Sequence, residues 1–91
     1  MCTMIAHTTR IEGSGKGATG WFALSQATVG YDHATHAPLE HALLLDFVNP
    51  SLGLDARVAV ELSLASGRAL LAQLQAAISA AEASGVAEEA G

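Results

Sequence analysis

Three of the four histidines, His33, His36 and His41, fall within nine positions of one stretch, YDHATHAPLEH. Imidazole is the commonest metal ligand and an acid/base group near neutral pH, so this density points to a metal centre or an acid/base site. If the segments on either side are antiparallel strands, His33 and His41 form a cross-strand pair at the mouth of a hairpin, with Cβ atoms roughly 4.5 to 5.5 Å apart. Two rings could then meet one ion. His36, held near Pro38, is the candidate third ligand, and Asp32 or Glu40 could ligate or orient a ring. His7 joins the set if the first strand lies beside the hairpin. Cys2 is a further candidate, through an N-terminal amine and thiol chelate once Met1 is removed; the competing fate is a buried, inert thiol. Such donors suit zinc, copper, nickel or iron. Three nitrogen ligands with an open fourth position describe a catalytic centre, so the reading leans towards a small metal-dependent enzyme.

Two other accounts compete with a metal. The pattern H-x-x-H-x-x-x-x-H matches no signature with a fixed mechanism, and Pro38 rules out the helical H-E-x-x-H setting. The histidines could line a metal-free pocket for a small ligand, or simply be solvated on a loop. Asp46 interrupts an apolar run and faces away from His41, Leu43, Leu45 and Phe47, as a solvent-side residue or a carboxylate in a pocket or interface.

The elements that must position these groups follow from periodicity. Met1 to Glu12 reads as a first strand, with Ile5, His7, Thr9 and Ile11 on one side. Gly13 to Gly20 (GSGKGATG) carries four glycines in eight positions and reads as a loop. Lys16 lacks the following Ser or Thr of a phosphate-binding loop, so a flexible turn is preferred to an anion cradle. Trp21 to Tyr31 is the second strand, bent near Leu24-Ser25 and at Gly30, with Trp21 and Phe22 expected in the core. His41 to Val48 is a third, apolar strand, and Asn49 to Gly53 has turn chemistry. Arg57 to Leu62 alternates, with Val58, Val60 and Leu62 opposite Arg57 and Glu61. Ser63 to Ala83 is a helix capped by Ser63, with Gly67, Leu70, Leu71, Leu74, Ile78 and Ala81 in one stripe. The expected fold is α+β: a four-stranded antiparallel sheet followed by one C-terminal helix on one face (β-β-β-β-α). Residues 1–84 form a single domain and 85–91 a short acidic tail expected to be disordered.

Composition bounds the partners. Of the 91 residues, 51% are hydrophobic and 14% charged, an apolar surplus that a small sheet and one helix cannot cover, so a homo-oligomer is expected. A net charge of −5 opposes binding to nucleic acid. No run approaches the ~20 apolar residues of a membrane span, and the start lacks the order of a signal peptide. With a lone cysteine, the chain reads as soluble and cytoplasmic.

The segments MCTMI, IEGSGKGATGWF, YDHATHAPLEHAL, DFVNPSLG and RVAVELS together resemble a family of small actinobacterial proteins known as a domain of unknown function. The resemblance runs to the end of the helix and implies a bacterial cytosolic origin; it brings no activity, cofactor or catalytic residue.

Overall fold

A computed structural model describes residues 5–85. Four strands, β1 (Ile5–Gly17), β2 (Gly20–His33), β3 (His41–Val48) and β4 (Arg57–Leu62), precede one helix, α1 (Leu64–Ala83). The strands form an antiparallel meander in chain order, the α+β architecture expected from the alternation. The bounds of β3, β4 and α1 match the sequence reading. Ser63 caps α1, its Oγ accepting from the Ser66 amide at 3.1 Å, and Gly85 follows with φ 77°.

Registry divides the sheet into two faces. Because paired residues share a side, Val29, Tyr31, His33, His41, Leu43, Leu45, Val60 and Leu62 lie on one face with Ile5 and His7. Thr8, Thr28, Asp32, Asp46, Arg57 and Glu61 occupy the other. The first face is apolar and carries α1 over β3 and β4. On the second, Arg57 donates from Nε and Nη2 to Asp46 at 2.6 and 2.9 Å, so Asp46 is neutralised by a neighbouring strand. That carboxylate raises the Arg57 pKa above its ordinary value.

The glycine-rich segment is not a loop. β1 continues to Gly17, and only Ala18 and Thr19 separate it from β2. One extra residue in β1 between Arg10 and Gly13 makes a bulge that restores pairing from Gly13↔Leu24 to Gly17↔Gly20. Two of its glycines sit close against cross-strand side chains: a Cβ on Gly15 would lie 3.1 Å from Leu24, and one on Gly17 would lie 3.0 Å from Phe22. At Gly30 the pairing runs on without a bulge, and the Ile5 carbonyl passes so near that a Cβ there would lie 2.6 Å from its oxygen. Trp21 also departs from expectation, standing 71% exposed opposite Lys16 near the hairpin tip while Phe22 is half-buried.

The interior is slight. Among the described residues, only Ala27, Ala42 and Ala56 are buried hydrophobics, and α1 buries none of its residues. The helix approaches the sheet at Gly67, where a side chain would overlap Leu43, yet Leu71, Leu74 and Ile78 stay 63%, 53% and 53% exposed. An apolar groove of about 270 Å³ remains between Leu43, Leu45 and Leu62 below and Leu70, Leu71 and Leu74 above.

Candidate metal centre at the histidine hairpin

β2 ends at His33 and β3 begins at His41, so seven residues join the strands and the two histidines face each other in register. Their ring centroids are 4.5 Å apart with planes inclined by 30°. Tyr31, the diagonal neighbour on the same face, stacks on His41 at 5.8 Å and 23°. The three rings thus line up along one face, with His41 between Tyr31 and His33.

His36 does not join them. The loop is folded onto the opposite face of the sheet by Glu61, whose Oε1 accepts from the amides of His36 and Ala37 at 2.9 and 2.7 Å. Its Oε2 accepts from the Thr35 amide at 3.1 Å and the Thr35 hydroxyl at 2.7 Å. These donors, the Ala37 amide foremost and then the Thr35 hydroxyl and His36 amide, lower the Glu61 pKa from 4.5 to about 2. The His36 side chain, 89% exposed, sets its Nδ1 2.9 Å from Thr35 Oγ1 and 3.5 Å from Glu61.

The other candidates fall at different places. Asp32 points to the face away from the pair, and its Oδ1 accepts from the His33 amide at 2.8 Å. Glu40 stands beside the pair, its Oε1 4.0 Å from His41 Nδ1. His7 shares the face of the pair but is level with Val29, four residues or roughly 13 Å along β2 from His33. Cys2 lies outside the described residues. Among those described, no three His, Cys, Asp or Glu side chains converge as a metal cage. Of the three histidines expected to converge, His33 and His41 lie together and His36 is held at Glu61.

Sequence reasoning did not find Glu61 as the anchor of the loop. Alternation placed it beside Arg57 on β4, but nothing in a separation of 26 positions ties it to Thr35. A hollow of about 590 Å³ lies over this anchor, lined by Thr35, His36, Ala37, Arg57, Ala59 and Glu61. Its carboxylate is already surrounded by loop donors and its arginine is held by Asp46, which leaves little polar chemistry for a guest.

A sequence model of one protein family matches residues 1–87, nearly the whole chain. The chain belongs to DUF6295, a family of unknown function. No curated protein and no solved structure matches it. Membership in DUF6295 agrees with the resemblance read from the motifs and names no activity. Among the described residues of this DUF6295 member, no helix is long and apolar enough to cross a membrane.

Proposed function

We propose that the protein is a small cytoplasmic, homo-oligomeric module that binds a transition metal through His33 and His41. The observation that carries this reading is the in-register imidazole pair, 4.5 Å between centroids and backed by Tyr31. Imidazole donors suit zinc, copper, nickel or iron, and two protein ligands leave positions for water, substrate or a donor from a second copy. At an open position such an ion would lower the pKa of bound water or polarise a substrate oxygen, the route by which the site would act as an enzyme.

Elemental analysis of tag-free protein after dialysis against each metal tests the reading. Near-stoichiometric metal is expected in the parent and in His36→Ala, and a loss of tenfold or more in retention in His33→Ala and His41→Ala. Equal retention in all four proteins would remove the pair from the site. A second reading, a metal-free module for a small ligand or a protein partner, is favoured by the apolar groove beneath α1 and by the absence of a third converging ligand among the described residues. It is distinguished by absence of metal in every protein.

A further inference from the structure

α1 comes closest to the sheet at Gly67, which sits against Leu43 so tightly that a side chain there would overlap it. Leu70, Leu71 and Leu74 follow at three, four and seven positions, on the same side of the helix as Gly67, so they face the sheet across the gap beside that contact. The groove they close over Val29, Leu43, Leu45 and Leu62, about 270 Å³, has no side chain in its wall that can donate or accept a hydrogen bond. A space of that size does not admit a second helix, roughly 10 to 12 Å across with its side chains. It does admit a slender apolar chain. An apolar cavity of about 150 Å³ takes benzene, so in proportion this one takes about ten carbon atoms.

The floor of the groove continues into polar chemistry at one end. On the same face, His41 follows Leu43 two residues, or roughly 7 Å, along β3. Tyr31 pairs with Leu43 and stacks on His41, so it carries the apolar floor up to the imidazoles. A neutral imidazole has one N–H donor, so the His33 and His41 rings, 4.5 Å between centroids, offer two donors to a carboxylate, whose two oxygens only accept. An apolar wall without polar groups and a pair of donors at its margin describe a site for a molecule with a tail and a head.

We propose that the groove and the imidazole pair together bind a small amphipathic molecule, with an apolar chain of about ten carbons beneath α1 and a carboxylate head hydrogen-bonded by His33 and His41. This inference deepens the small-ligand reading and rests on the imidazole pair without needing a metal. Calorimetric titration of the full chain with sodium decanoate, in chelator and below the concentration at which decanoate forms micelles, tests it. Saturable binding is expected, with affinity rising about fourfold per methylene from octanoate to decanoate. Decyltrimethylammonium, the same chain with a head that accepts no hydrogen bond, is expected to bind about tenfold more weakly. That preference should vanish in the His33→Ala, His41→Ala double variant. It should survive His7→Ala, opposite Val29, and Arg68→Gln, next to Gly67. In the parent, the methyl NMR signals of Leu43, Leu45 and Leu74 should move with decanoate, a readout that needs no variant to fold. No saturable binding, an affinity indifferent to chain length, or a head preference that outlasts the double variant would overturn the proposal. So would leucine signals that shift with protein concentration and not with decanoate, the mark of a second copy in the groove. Zinc uptake without decanoate binding would overturn this inference and leave the metal reading standing, and decanoate binding without zinc uptake would do the reverse.

Discussion

At the scale of residues, single positions act through what they allow to approach. Gly30 admits the Ile5 carbonyl, and because the obstacle to a Cβ is backbone, no side-chain rotation relieves it. Gly30→Ala should therefore separate β1 from β2 and destabilise the fold by about 1 to 3 kcal/mol, the range for overpacking. Urea denaturation gives that value directly, and an unchanged midpoint would mean that the strands yield freely. The cross-strand relation of His33 and His41 was legible from counting residues between two strand patterns. The direction of His36 was not, because it depends on a carboxylate from β4 that nothing local in the loop specifies.

Elements repeat the same division between local and distant information. β3, β4 and α1 announce their bounds through period and capping, and Ser63 stands where the cap is needed. The glycine-rich segment misleads because glycine content signals a loop, whereas here Gly15 and Gly17 clear room for Leu24 and Phe22 across a long hairpin and Gly20 takes a positive φ at its turn. Glu61 links β4 to the histidine loop, and its pKa sets when that link holds. The folded value of about 2 lies below the ordinary 4.5, so the stabilisation is fully present above pH 4.5 and is lost as pH falls towards 2. Amide NMR signals of Thr35, His36 and Ala37 should shift together over that window, while in Glu61→Gln the window should disappear and the loop amides exchange faster. Identical acid titrations in both proteins would contradict the anchor.

For the whole molecule, the surplus of apolar residues visible in the composition reappears as an uncovered helix and a core of alanines. The sheet holds two imidazoles at one end of its apolar face, and among the described residues the buried hydrophobics are three alanines. The imidazole pair and the exposed helix lie on the same side of the sheet. Native mass spectrometry of tag-free protein titrated with zinc reads assembly and metal in the same spectrum, and it tests most directly whether the histidine pair is a metal site. An oligomer that gains zinc and loses that capacity in the His33→Ala, His41→Ala double variant is the predicted result. An oligomer that takes up no zinc, or a double variant that takes up as much as the parent, would contradict it.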